Sequence, residues 1–133
     1  VRGVARATGV LVADAGASVG GATVAGGAWV VEGVILVGVG ATVAVTTIEH
    51  EPGAVADLGT LLDRLIPAAD AWEHNARNHD TNAHAHLRAA LIGPSEAIPV
   101  VDGALTLGTW QQVVLVDFDD RPRERTVTVQ VLD

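Results

Sequence analysis

The stretch from Gly33 to Ile48, GVILVGVGATVAVTTI, runs sixteen residues without a charge. A run of that kind must be buried or cross a bilayer, and it is shorter than the roughly 20 residues a spanning helix needs. Its Gly, Val and Thr content suits extended backbone better than helix. The expectation is two adjacent buried strands, VILVGVG and TVAVTTI, broken near Gly40. With one Phe, three Trp and no Tyr, the core has to be built from Val, Leu, Ile and Ala, which also favours sheets.

Further elements follow from periodicity. GVLVAD, residues 9 to 14, reads as a strand, with Asp14 placed to cap what comes next. Residues 15 to 27 hold five glycines, and a helix there would lose about 1 kcal/mol at each relative to Ala. From Pro52 to Leu65, apolar residues Val55, Leu58, Leu61, Leu62 and Leu65 recur at spacings of three and four and predict a helix that Pro67 closes. Residues 67 to 81 are polar and aperiodic and read as a long loop. Asn82 then caps a short helix, AHAHLRAALI, stopped by Gly93-Pro94.

EAIPVVDGALTLGTW reads as two strands around an Asp102-Gly103 turn. QQVVLVDF and RTVTVQVL are strands joined by DDRPRE, the second with Val127, Val129 and Val131 on one face. Together these predict one α+β domain over residues 1–133, with an antiparallel sheet and no internal repeat.

Charge narrows the function. A formal net charge of −8 argues against a nucleic-acid partner. All eight basic residues are arginine, and Arg88, Arg121, Arg123 and Arg125 read mostly as solvated ends of elements. Without cysteine, the strong metal ligands available are histidine and carboxylate. No basic region precedes an apolar block at the N-terminus, so no secretion signal is read and a cytoplasmic, membrane-free protein is expected. The chain begins at Val1 rather than Met, which leaves room for an upstream segment.

Four of the five histidines fall in HNARNHDTNAHAH, residues 74 to 86, and the fifth, His50, lies in EHE. Histidine at this density suits a metal site, an acid/base site or a polar loop. If residues 82 to 91 are helical, His84 and His86 point about 200° apart and cannot share one metal. His79 and His84 read equally well as solvated loop residues.

These residues carry a family resemblance. ATVAVTTIEHEPGAVADLGTLLDRLIP, WEHN, DTNAHAHLRAALIGPS and LGTWQQVVLVDFD, closing on RTVTVQVL, resemble in order and spacing the YjbQ-type proteins, often called secondary thiamine-phosphate synthases. The resemblance implies an antiparallel β-sandwich with two to three helices, assembled as a homotrimer. It also implies a divalent metal, zinc among the options, bound by histidines, and a phosphorylated small-molecule substrate.

Carried onto this chain, it assigns His74 and His86 to the metal. Glu49 and His86 take the catalytic roles, and Ser95, Gly108, Thr109 and Gln111 the anion-binding ones. Glu49 equally reads as an exposed charge at a strand end. Trp110 reads as a core plug, Arg88 as a surface ion pair and Asp80 as a carboxylate orienting a histidine. One departure stands out: the family's HTT or HAT histidine is Gly40 here. His50, His79 and His84 are the possible substitutes.

Two readings follow. One is a thiamine-phosphate-synthase-like enzyme, from which a hydrolase of phosphate esters differs only in the acceptor. The other is a non-enzymatic or degenerate homotrimer that binds a metal or an anion.

Overall fold

The computed structural model describes residues 32–132 together with two short N-terminal strands, β1 (Ala5–Ala7) and β2 (Leu11–Ala13). The helix considered over residues 15 to 27 lies outside the described residues. β3 (Gly33–Val39) and β4 (Val43–Ile48) follow, then α1 (Pro52–Leu65), α2 (Glu73–Asn78) and α3 (Ala83–Ile92). β5 (Ser95–Val101), β6 (Ala104–Leu105), β7 (Gln112–Asp117) and β8 (Arg125–Leu132) complete the order.

The strands form two antiparallel sheets, ordered β1-β8-β3-β5-β6 and β2-β7-β4. The uncharged run is split between them, β3 to the first sheet and β4 to the second. β7 and β8 are split in the same way, so both connections cross the sandwich at one end. Period-two alternation explains the core. Val43 and Val45 of β4, Val113 and Leu115 of β7, Ile98 of β5 and Val127 of β8 meet between the sheets, with Leu36 and Val129 packed against them.

The outer face of the three-stranded sheet is covered by helices. Ala44 lies fully buried beneath α3, whose Ala83, Ala85 and Ala89 are also buried. Small side chains on both surfaces let helix and strand approach closely. The result is the expected α+β sandwich, with three helices on one side.

α1 begins as expected. Pro52 sits in the first turn, and the Glu51 carboxylate accepts from the N–H groups of Gly53 and Ala54, which lowers its pKa. Asp102 and Gly103 both take positive φ, 51° and 74°, as a two-residue hairpin turn requires.

Four expectations need correction. The loop read over 67 to 81 contains α2, a helix of six residues, too short to show a 3.6-residue period. Asn82 gives α3 no side-chain cap; the Asn75 carboxamide oxygen of α2 accepts from Ala83 N at 2.9 Å instead. Trp110 is not a core plug but 69% exposed. Arg125 is not a solvated strand end: it takes the first inward position of β8 and is 7% exposed.

Candidate functional site

The end of the sandwich where the chain crosses between sheets is closed by charge rather than by a further layer of valine. Arg125 Nε and Nη2 donate to the two carboxylate oxygens of Asp117 at 2.7 and 2.6 Å. Nη2 also donates to the Thr42 hydroxyl at 2.7 Å, and that hydroxyl donates to Asp119 at 3.1 Å. Arg123 Nε reaches the same Asp119 oxygen at 3.1 Å. A fork geometry that satisfies both carboxylate oxygens is what makes such a buried pair tolerable. Burial alone would raise the Asp119 pKa, but the Thr42 hydroxyl, the Arg121 N–H and the Arg123 guanidinium outweigh it and hold it at about 2.

Two imidazoles sit above this plug. α2 carries His74 and α3 carries His86, and their ring centroids are 4.7 Å apart at 46°. The backbone carbonyl of Ala41, in the crossing turn, lies 3.2 Å from His86 Nδ1. A carbonyl can only accept, so Nδ1 carries a proton, and in the neutral ring the lone pair is then on Nε2. His74 Nδ1 is 3.5 Å from Asn75 Oδ1, too long to fix its tautomer. Asn75 couples the two helices, since the oxygen beside His74 also holds the first N–H of α3.

Two neighbouring segments are clasped together beside this pair. Thr81 donates to Asp120, and Arg121 bonds both Asp80 and Asp120. Asp80, weighed as a partner for a histidine, is thus paired with Arg121. Arg121 and Arg123 of the β7–β8 connection and Arg125 at the start of β8 all bond aspartates, so the protein surroundings of the imidazoles are not strongly cationic.

The remaining histidines stand apart. α3 is helical through 84 to 86, and His84 points away from His86 into the protein, 8% exposed, with no partner for Nδ1 among the described residues. It is therefore not a solvated loop residue. His79 is exposed and ends α2 in the left-handed conformation, φ 53°. His50 follows β4 at its far end. Among the described residues no group of three or more His, Cys, Asp or Glu is placed to hold a metal ion.

Glu49 and the anion-binding candidates also divide. Ala41 precedes β4 and Glu49 follows it, so at about 3.3 Å per residue they are roughly 20 Å apart. Gln111 belongs to the Glu49 end: its Nε2 donates to the Thr47 hydroxyl at 2.9 Å, and its Oε1 accepts from Gly108 N at 3.1 Å. These bonds tie residues 108 to 111 into a turn that leaves Thr109 and Trp110 exposed. Ser95 is exposed at the start of β5, opposite Val37. The structure thus brings His74 and His86 together and holds Glu49, Gly108, Thr109 and Gln111 at the other end of β4.

A family described as UPF0047 protein YjbQ-like matches residues 22–133. The chain belongs to this family.

Among YjbQ-like relatives, a UPF0047 protein of Archaeoglobus fulgidus is 40% identical over 91 residues, 68% of this chain and 70% of its own. One from Methanothermobacter thermautotrophicus is 39% identical over 83 residues, 62% of this chain and 56% of its own. A hypothetical protein from Aeropyrum pernix K1 has a similar solved structure: TM-score 0.78, 32% identity, covering 98% of this chain and 97% of that one. A YbjQ-like protein of unknown function from Sulfolobus solfataricus aligns with TM-score 0.72 and 37% identity, over 77% and 72% of the two chains.

Against the YjbQ-like pattern, Gly40 is the informative position. Its φ is 152°, a conformation costly for any residue with a side chain. A Cβ there would meet Arg125 Nη1 at 3.1 Å, and that guanidinium is held by Asp117, Thr42 and Asp119. Position 40 in this chain is thus adapted to Arg125 in backbone and in space. The resemblance leads one to expect a histidine at position 40; what stands against a side chain there lies 85 residues downstream.

Proposed function

We propose that the His74–His86 pair is the working centre of a thiamine-phosphate-synthase-like protein acting on a phosphorylated small molecule. The observation that carries this is the meeting of the two rings at 4.7 Å, with His86 held in a single tautomer by Ala41. In that tautomer Nε2 is free to take up or return a proton at the bond being made or broken. His74 faces it and orients the substrate.

Zinc held as a resident ion usually takes three or four protein ligands. Two imidazoles alone do not meet that requirement; where a divalent ion such as zinc is bound, His74 and the Nε2 of His86 would hold it, that nitrogen then serving the ion in place of the proton, and the ion would supply positive charge that the neutralised arginines do not. The chemistry rests on His74 and His86, and Glu49 has no part in it within one protomer.

The test is coupling of a hydroxymethylpyrimidine pyrophosphate to a thiazole phosphate, with divalent metal supplied. Turnover is expected in the intact protein and lost in His86→Ala; a rate no higher than that of His86→Ala removes the reading.

Gly40 favours a second reading, a non-enzymatic metal- or anion-binding protein with a reduced site. Protein purified without a histidine tag separates the two by elemental analysis alongside the coupling assay. Zinc or nickel that disappears in His74→Ala, with no turnover, supports the second. The homotrimer stays part of the proposal: Leu61, Leu65, Leu87 and Leu91 are exposed and available for association, and light scattering measures the assembly.

A further inference from the structure

The imidazole pair is short of one partner. An open zinc site commonly joins two imidazoles to a carboxylate or a further imidazole. Among the described residues no third ligand joins His74 and His86. The aspartates at this end are engaged: Asp80 by Arg121, Asp117 by Arg125, and Asp119 by Arg123 and Arg125. Both rings are half-buried, and the surface beside them is apolar. Val39, just before the crossing turn, and Leu87, next to His86, are exposed.

The far end of β4 offers a carboxylate that its own chain does not use. β4 and β7 pair as far as Ile48 and Gln112, which sets Glu49 beside Gln111. Gln111 is pinned to Thr47 and Gly108, and the His50 N–H donates to the Gln112 side chain at 2.9 Å. Glu49 thus stands on a fixed platform, yet it is exposed, and no ion pair among the described residues includes it. The same platform presents Trp110 to solvent. An exposed tryptophan on a fixed turn marks a surface that another protein covers, and tryptophan is the residue type most enriched where binding energy concentrates.

We propose that Glu49 of one copy of this chain enters the imidazole pair of the next, with Trp110 packed beside it against Val39 and Leu87. Each site then holds two imidazoles from one protomer and a carboxylate from its neighbour, a donor set that suits a divalent ion. The proposal rests on the reading of His74 and His86 as the working centre. Within one chain the two ends of β4 are roughly 20 Å apart, so no chain serves itself. Each copy gives at one end and receives at the other, and head-to-tail contacts of this kind close into a ring when the rotation between copies allows. The homotrimer is such a ring.

The test mixes copies of the full chain. Parent protein with 15N-labelled histidine is co-refolded with an excess of unlabelled Glu49→Gln, and the ring signals of His74 and His86 are followed by NMR. The labelled chain keeps its own Glu49, so its rings change only if a neighbour's carboxylate reaches them. A change is expected, and none when the unlabelled partner is His86→Ala, which still supplies Glu49. In zinc titration, Glu49→Gln and His86→Ala alone should each bind at least about tenfold more weakly than the parent. Co-refolded together, they should recover parent-like affinity at no more than about one site in three, the share a mixed three-membered ring allows. Trp110→Ala should reduce the assembly size in light scattering with the fold intact.

Unchanged rings in the labelled parent overturn the proposal, as does a parent that is monomeric in solution. The ring signals decide even if the parent takes up no zinc. Changed rings without any coupling activity support the shared site and remove the enzymatic reading alone; turnover with unchanged rings removes the shared site alone.

Discussion

Replacing Gly40 with histidine restores the residue type the family resemblance leads one to expect, yet the structure says it will not restore a site. The backbone at φ 152° costs a side-chain-bearing residue about 1–3 kcal/mol. The new Cβ then lies 3.1 Å from Arg125 Nη1. The guanidinium cannot yield freely, because retreat would break its paired bonds to Asp117 and its bond to Thr42. Breaking a buried ion pair costs about 3–5 kcal/mol when one partner is left behind.

Gly40→Ala should therefore lose about 1–3 kcal/mol, and Gly40→His should lose more, approaching the cost of the broken pair. At a urea slope of roughly 1–3 kcal/mol/M, a loss of about 2 kcal/mol moves the unfolding midpoint by about 1 M. The assay is urea unfolding followed by circular dichroism, with zinc titration of whatever folded protein Gly40→His yields. Gly40→Ala separates backbone strain from the bulk of the ring. If Gly40→His unfolds at the same urea concentration as the parent and takes up stoichiometric zinc, the account of position 40 is wrong.

Three other perturbations test neighbouring parts of the reasoning. Asp119 has a folded pKa of about 2, below the usual carboxylate value, so its contribution is full above about pH 4 and lost as pH falls toward 2. Asp119→Asn should cost about 2 kcal/mol at pH 7 and almost nothing at pH 2; an equal cost at both would refute the assignment. Asn75→Ala strips the buried Ala83 N–H of its acceptor and should cost about 1–2 kcal/mol. The same change should alter the NMR signals of the His74 and His86 rings, and unaltered rings would mean Asn75 does not couple the helices. Gly59→Ala should raise stability by about 0.5–1 kcal/mol in thermal unfolding, and destabilisation there would show a neighbour that the geometry does not.

α1, α3 and β8 were legible because each is long enough to repeat its period: leucines at three and four from Leu58 to Leu65, valines at two from Val127 to Val131. Charge and the missing cysteines bounded the function without reference to shape. α2 was not legible, since six residues cannot display a helical period and its stability comes from Asn75 and His74 reaching α3.

Histidine count says nothing about where imidazoles point, and that decided the site. One helix turned His84 inward and His86 toward His74, while the length of β4 carried Glu49 roughly 20 Å away. Arg125 carries the same lesson. An arginine at the start of a strand looks solvated until the second sheet closes over it, and only then does a glycine at position 40 acquire a physical cause. Local periodicity is a property of neighbouring residues and was set by the chain alone. Burial and convergence depend on residues distant in the chain, and they exist only once the two sheets have packed.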